Sequence, residues 1–386
     1  MFKIQTLNKI STIGLEQFHF ENYEIASEFT APDAILLRSA DMHEMDLSEN
    51  IKAIARAGAG INNIPIDKCT EKGIVVFNTP GANANAVKEL AICGMLLSSR
   101  KILQGAEWTK NYTGTDLTGD VEKNKSSFKG PELMGKTLGV IGLGAIGMLT
   151  ANAAEALGMR VVGFDPYISI DSAWKLSKNV ERAISLDALL SQADYLSLHV
   201  PLAKNTKEFM NADRFRVMKD GVRLINFARG GLMHKGDLIQ ALDNGKISCF
   251  VTDFPDDALQ GHDKVIALPH LGASTPESED NCAVMAVNQL KDYLENGNIR
   301  NSVNFPESVM PRNGGTRLII ANKNIPKMVG QITNVLAERD INISDMLNKH
   351  HGDLAYNIID IDDTIAIDDI DKIKEIEGVI MVRLIV

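Results

Sequence analysis

Residues 251–260 read VTDFPDDALQ and residues 268–275 read LPHLGAST, so three carboxylates, Asp253, Asp256 and Asp257, precede a histidine, His270. Histidine titrates near neutral pH and can take the proton of a hydroxyl while hydride leaves the same carbon, then return it in the reverse direction. A carboxylate beside a histidine raises its pKa and fixes its tautomer. Asp257 or Asp256 can fill that role, or both can be solvated loop acids. Arg229, in INFARGG, stands at the C-terminal end of a candidate strand, the edge where doubly wound sheets bind ligands. Its guanidinium can hold a carboxylate by two parallel hydrogen bonds. This set of residue types suits oxidation of an alcohol that carries a carboxylate.

Hydride needs an acceptor, and GVIGLGAIG places Gly142, Gly144 and Gly147 in G-x-G-x-x-G spacing between an apolar strand and an Ala-rich helix. The first glycine makes the turn, the second admits a pyrophosphate and the third packs helix on sheet. Free N–H groups and the positive end of the helix dipole then face the phosphates. The next strand, RVVGFDPY, ends in Asp165, where a carboxylate accepts from both ribose hydroxyls and repels a 2′-phosphate. The expected cofactor is therefore NAD, in preference to NADP.

The elements that must position these residues alternate. From residue 1 to about 80, short β-rich runs such as AILLRS and GIVVFN are separated by polar segments, the pattern of a parallel α/β sheet. A helix is predicted over NANAVKELAICGMLLSSRKIL (83–103), followed by a polar loop at 109–130 that reads as exposed. A second series begins at KTLGVIGLGAIG, with further strands in RVVGF, DYLSLHV, VRLINFA, SCFVTD and KVIALP. Ser274 and Glu277 stand at capping-box spacing ahead of a helix that should end near Gly297. Residues 301–315 have the Pro, Gly, Ser and Asn content of a linker, and 316–386 read as β–α–β–β–α–β.

At 386 residues the chain suggests two or three domains, and its 45% hydrophobic content fits a globular protein. A net charge of −10 works against nucleic acid and anionic lipid, so an anionic small-molecule substrate needs local basic residues. Cys69, Cys93, Cys249 and Cys282 lie far apart without metal-ligand spacing, which predicts reduced core cysteines and no metal site. The N-terminus lacks the pattern of a signal peptide and no apolar run is long enough to span a membrane, so the expected location is cytoplasmic.

Through LLRSA, RAGAGINNI, NTPGANANAVKEL, LGVIGLGAIG, LHVPLAKNT, INFARGG and PHLGAST, in that order, the chain resembles the D-2-hydroxyacid dehydrogenase family, most closely its D-3-phosphoglycerate dehydrogenases. The resemblance implies an α/β architecture. A Rossmann-type doubly wound NAD-binding domain (83–275) is inserted into a flavodoxin-like substrate-binding domain (1–82 and 276–305). A linker (306–315) and an α+β, ferredoxin-like ACT domain (316–386) follow. It implies oxidation of D-3-phosphoglycerate to 3-phosphohydroxypyruvate, the entry to serine synthesis, with a hydroxypyruvate, glyoxylate or other D-2-hydroxyacid reductase as the alternative. Carried over by position, Arg38, Ser39, Ala59, Gly60 and Asn83 would contact the substrate, Arg229 would bind and polarise it, and His270 would be the acid/base. Gly142, Gly144, Ala145, Ile146, Gly147, Asp165, His199, Val200, Pro201, Thr206, Ala228, Asp253 and Gly272 would line NAD. The family places a glutamate a few residues past the Asp253 position. Here Asp257 falls in its place after a one-residue deletion, with Asp256 in reserve. The departure motivates a non-catalytic, NAD-sensing interaction protein, a reading that Arg229 and His270 oppose.

The tail NKNIPKMVGQITNVLAERDINISDM resembles an ACT domain, which binds amino acids between paired subunits. That implies a homo-oligomer, dimer or tetramer, and an amino-acid effector near Asn322, Asn324 and Asn342. Serine-sensing relatives carry a histidine where this chain has Asn322 and a glycine where it has Lys327, which weakens the serine expectation.

Overall fold

The computed structural model describes residues 1–386, which form two compact units: Met1–Asn83 with Pro276–Val386, and Ala84–Thr275. The first unit opens with β1 (Phe2–Leu7), β2 (Tyr23–Ala26), β3 (Ala34–Leu37), β4 (Ala53–Arg56) and β5 (Val75–Phe77). They form a parallel sheet in the order β2-β1-β3-β4-β5, the flavodoxin-like arrangement. The AILL of β3 is buried at every position, as expected for a central parallel strand covered on both faces.

The second unit begins with helix α1 (Ala84–Ser99). Its predicted continuation to residue 103 breaks at Arg100, and a separate helix spans Ile102–Lys110. The segment read as a polar loop is partly helical, with a helix over Leu117–Asn124 and a 3₁₀ turn over Lys125–Phe128. A small aromatic cluster explains this. Trp108 lies 5.8 Å from both Tyr112 and Phe128, Tyr112 donates its hydroxyl to Asp120, and Asp116 caps the helix through the Gly119 N–H.

Strand β6 (Thr137–Ile141) leads into α2 (Ala145–Ala156). Then come β7 (Arg160–Phe164), β8 (Glu181–Arg182), β9 (Tyr195–Leu198), β10 (Val222–Asn226), β11 (Ile247–Thr252) and β12 (Val265–Ala267). The parallel sheet runs β12-β11-β10-β9-β6-β7-β8, so strand order reverses beside β6 and opens a ligand crevice at its C-terminal end. Cys69 and Cys282 are buried as expected, whereas Cys93 is exposed on α1 and Cys249 is only partly covered.

Helix α3 (Pro276–Asn296) returns the chain to the first unit. It begins one residue later than a Ser274 cap requires, and Ser274 Oγ instead donates to the His270 carbonyl at 3.4 Å. Gly297, at φ +71°, ends the helix as expected. Residues 301–315 are packed rather than linker-like. Phe305 and Met310 are buried, Ile299 and Ser308 pair through their backbones, and Asn304 bonds Val76 N–H and the Ile74 carbonyl at the edge of β5. Amide side chains here substitute for strand partners, so a composition typical of loops builds an ordered strap.

The tail forms β13 (Thr316–Lys323), α4 (Met328–Ala337), β14 (Ile343–His351), β15 (Leu354–Ile361), α5 (Ile367–Lys374) and β16 (Val379–Ile385). Its antiparallel sheet, β14-β15-β13-β16, has the ferredoxin-like order. Strand β13 is apolar on both faces. Leu318 and Ile320 pack in the cluster that includes Ile332 of α4 and Ile373 of α5, while Ile319 and Ala321 join the core shared with α3 and the first sheet. Arg317, fully buried, pairs with Asp360 and donates to the Asn296, Met310 and Pro311 carbonyls. Arg383 bonds the Tyr293 and Leu294 carbonyls, and Tyr356 Oη bonds Gly297 O at 2.7 Å. The sheet thus satisfies the carbonyls that the end of α3 leaves open. No helix is long and apolar enough to cross a membrane.

Candidate active site

The glycine turn after β6 has the geometry its spacing implies. Gly142 sits at φ +90°, and a Cβ there would stand 2.7 Å from the His199 carbonyl. A Cβ on Gly147 would strike the Gly142 carbonyl, so the third glycine brings α2 onto the turn. Open space faces Gly144, and it begins α2 without a side-chain cap, so the N–H groups of Ala145 and Ile146 lead the helix unspent. Those groups and the helix dipole suit a diphosphate. Asp165 accepts from Leu143 N–H and Tyr167 N–H, both at 2.8 Å, which fixes its carboxylate at the end of β7. Each oxygen keeps acceptor capacity for a ribose hydroxyl.

The loop after β9 faces the same turn. His199 Nε2 bonds Ser197 Oγ at 2.8 Å, and burial pushes its pKa down to about 4, so the ring is neutral at pH 7. Val200 packs beside Gly142. Thr206 Oγ1 donates to the Pro201 carbonyl at 2.6 Å and accepts the Ala203 N–H, so this hydroxyl shapes its own loop.

At the ends of β10 and β11, buried Asn226 accepts the Ala228 N–H and donates to the Arg229 carbonyl, setting a turn that leaves the Arg229 side chain exposed. Arg229 Nη1 bonds the Ala228 carbonyl at 2.7 Å. His270 occupies the left-handed region at φ +47°, a strained conformation for a non-glycine residue, with its N–H on the Asp253 carbonyl at 3.0 Å. Its ring lies 4.8 Å from that of Phe254. His270, Asn226, Gly230, Asp253 and Asp256 line one cavity of about 470 Å³.

Asp253 is buried, its Oδ2 accepts Gly272 N–H at 2.8 Å, and its Oδ1 has no partner. Burial raises its pKa, opposed by the Gly272 bond and by the charges of His270 and Arg229. An orphaned buried acceptor that feels the charges of His270 and Arg229 fits the carboxamide N–H donors of nicotinamide, and with the open space at Gly144 it makes these residues a match for NAD.

Asp257, the expected partner of His270, opens the 3₁₀ turn Asp257–Leu259 and makes no hydrogen bond or ion pair with His270. Nor does Asp256, which caps that turn through Ala258 N–H and pairs with Lys235; the Lys235 hydrogen bond lowers its pKa. Asp256 shares the cavity with His270 but spends its carboxylate on Ala258 N–H and Lys235, and of the three acids it is Asp253 whose pKa the His270 charge lowers.

In the other unit, the loop after β3 carries Arg38 and Ser39. Asn8, at φ +76°, accepts the Ser39 and Ala40 N–H groups, and Arg56 Nε donates to the Arg38 carbonyl at 2.8 Å. The Arg38 guanidinium pairs with Glu279 of α3 at 2.9 Å. Asn78 Nδ2 holds the Ala59 carbonyl at 2.8 Å, and the N–H groups of Ala59 and Gly60 make no hydrogen bond. Two backbone donors are thus open to a carboxylate. Asn83 ends the unit, immediately before α1.

In the tail, Asn322 is buried, with its side chain bonded to Asn357 and the Lys323 carbonyl. Asn324 bonds the Gly352 carbonyl and Asn342 bonds Asp362. Lys327 holds a left-handed backbone at φ +74°. Asn8, Arg56, Asn226, Lys235 and Glu279 were missed in the sequence; only Asn226, next to INFARGG's arginine turn, had a local signal.

The fold and this edge of the sheet define a nucleotide-binding α/β oxidoreductase scaffold. Residues 92–272 match the family described as D-isomer specific 2-hydroxyacid dehydrogenase, NAD binding domain. The chain is 36% identical to the hydroxypyruvate reductase of Thermotoga maritima, over 70% of this chain and 88% of that one. It is 33% identical to the D-3-phosphoglycerate dehydrogenase of Methanocaldococcus jannaschii, over 88% of this chain and 63% of that enzyme, so it spans less than two thirds of that relative's length. Among solved structures, an NAD⁺-bound 3-phosphoglycerate dehydrogenase of Entamoeba histolytica aligns at TM-score 0.60 and 26% identity, covering 78% of this chain and 98% of that one. The chain belongs to the D-isomer specific 2-hydroxyacid dehydrogenase family, and the domain around Gly142 is its NAD-binding domain.

Proposed function

We propose that this protein oxidises D-3-phosphoglycerate at C2 to 3-phosphohydroxypyruvate, the entry to serine synthesis. The observation that carries the reading is the grouping of Arg229, His270 and the half-satisfied Asp253 at the C-terminal ends of β10, β11 and β12. NAD, when bound, accepts the hydride. Arg229 binds the carboxylate end of the 2-hydroxy acid and polarises C2, and His270 takes the hydroxyl proton as the C–H bond breaks. The carboxylate of Asp253 orients the nicotinamide amide and offsets positive charge arising on His270. Ala59 and Gly60 N–H receive the substrate carboxylate, with Asn83 beside them, and Arg38 and Ser39 take the phosphate. Asp257, in this reading, is a solvated loop acid.

Phosphoglycerate is supported by the relatives that carry that name, and by a ferredoxin-like tail of the kind that suits amino-acid sensing. One observation favours a second reading, reduction of hydroxypyruvate: Arg38 already has a carboxylate partner in Glu279. We infer further a homo-oligomer formed through the tail, whose edge strand β14 is exposed over much of its length, and a cytoplasmic setting that keeps the four cysteines reduced. Steady-state rates with phosphoglycerate, glycerate and lactate, each with NAD and NADP, test the assignment. Phosphoglycerate with NAD should give the highest kcat/KM; glycerate or lactate ahead by about tenfold, 1.4 kcal/mol of transition-state binding, refutes it.

A further inference from the structure

Arg38 and Glu279 come from distant parts of the sequence, yet both backbones are fixed where they meet. The Arg38 carbonyl is pinned by Arg56 Nε, and the start of α3 is tied to the N-terminal segment by Ser11 Oγ donating to Asp280 at 2.5 Å. Glu279 lies in the first turn of α3, where the helix dipole favours a negative side chain. Its Oε1 stands 2.9 Å from Arg38 Nη1, with both side chains about half exposed. A phosphate that needs Arg38 therefore competes with a carboxylate already there. A substrate ending in a plain hydroxymethyl group does not.

We propose that Glu279 is a specificity-determining residue: by holding part of the Arg38 charge, it sets how far phosphorylated 2-hydroxy acids are preferred over unphosphorylated ones. The inference rests on the function proposed above and adds the residue that tunes it. Glu279 touches no reacting atom and acts through Arg38. A half-exposed ion pair is worth little in water, so the effect is a shift in selectivity rather than a switch.

The test measures kcat/KM for phosphoglycerate and for glycerate, both with NAD, in wild type, Glu279→Gln, Glu279→Ala and Glu279→Asp. The phosphoglycerate-to-glycerate ratio should rise about threefold in the Gln and Ala variants, chiefly through the KM for phosphoglycerate. The gain should fade at about 0.5 M salt, and the Asp variant should keep the wild-type ratio. A ratio unchanged or lowered in both neutral variants overturns the proposal. A merely structural Glu279 would lower the rate on both substrates together and leave the ratio in place, which also overturns it. A wild type that turns over neither substrate refutes the proposed function instead, so the two failures are distinct.

Discussion

Replacing Asp253 by asparagine should move stability and cofactor affinity in opposite directions. In the free protein this carboxylate is buried, accepts a single hydrogen bond from Gly272 N–H, and leaves Oδ1 unpartnered. An amide can keep the Gly272 bond through its oxygen and sheds the buried charge, while its N–H₂ is left as unpartnered as Oδ1 was. Asp253→Asn should therefore stabilise the cofactor-free protein slightly at neutral pH, through the loss of the buried charge. The pH dependence has a definite sign. Burial raises the folded-state pKa of Asp253 above its unfolded value, so the wild-type penalty is absent below the ordinary carboxylate range and develops as pH rises through the folded-state pKa. The advantage of asparagine should grow as pH rises from the ordinary carboxylate range through the raised pKa of Asp253. With NAD present the order reverses. The lost charge-assisted acceptor, replaced by an N–H₂ that opposes the carboxamide donors, should cost about 1.5–3 kcal/mol, or roughly tenfold to a hundredfold in Kd. Thermal melts with and without NAD, together with calorimetric titration, read both quantities. A variant that melts below wild type without cofactor and binds NAD equally well would refute the assignment of Oδ1 to the cofactor.

Other outcomes follow from the same geometry. Asp257→Asn and Asp256→Asn should each leave kcat/KM within about twofold of wild type, because neither acid reaches His270; a large, selective loss in the Asp257 variant, measured by steady-state kinetics, would restore it as the partner. Arg317→Met strands the Asp360 carboxylate inside the protein and should cost about 3–5 kcal/mol in urea unfolding, much of it regained when Asp360 is replaced by leucine as well. A chain ending at residue 315 should be insoluble or unfolded by circular dichroism rather than active and insensitive to effectors, since Ile319, Ala321 and Tyr356 complete the core around α3.

The parts of this protein legible in its sequence are those whose determinants are local. G-x-G-x-x-G positions fix a turn, a helix start and a close approach within nine residues, and the apolar runs of β6, β7 and β10 mark a parallel sheet without reference to anything distant. The choice among Asp253, Asp256 and Asp257 was not local. It depends on Lys235 and the Ala258 N–H claiming Asp256, and on the left-handed backbone of His270, which a histidine's identity does not announce. The Arg38–Glu279 pair and the Arg56 brace join segments that no periodicity connects. The fusion of the tail with the first unit had a readable sign that composition obscured: the unbroken LIIA of β13 has no polar face, so it needs cover on both sides.

The central claim is that His270 moves the proton while Arg229 holds the acid. It is tested most directly by the rate of NADH formation from phosphoglycerate in His270→Asn, with NAD affinity measured on the same protein. The kcat of this variant should fall about 10²–10⁴-fold with NAD binding near wild type. A variant that keeps kcat within about tenfold while binding NAD normally would contradict it.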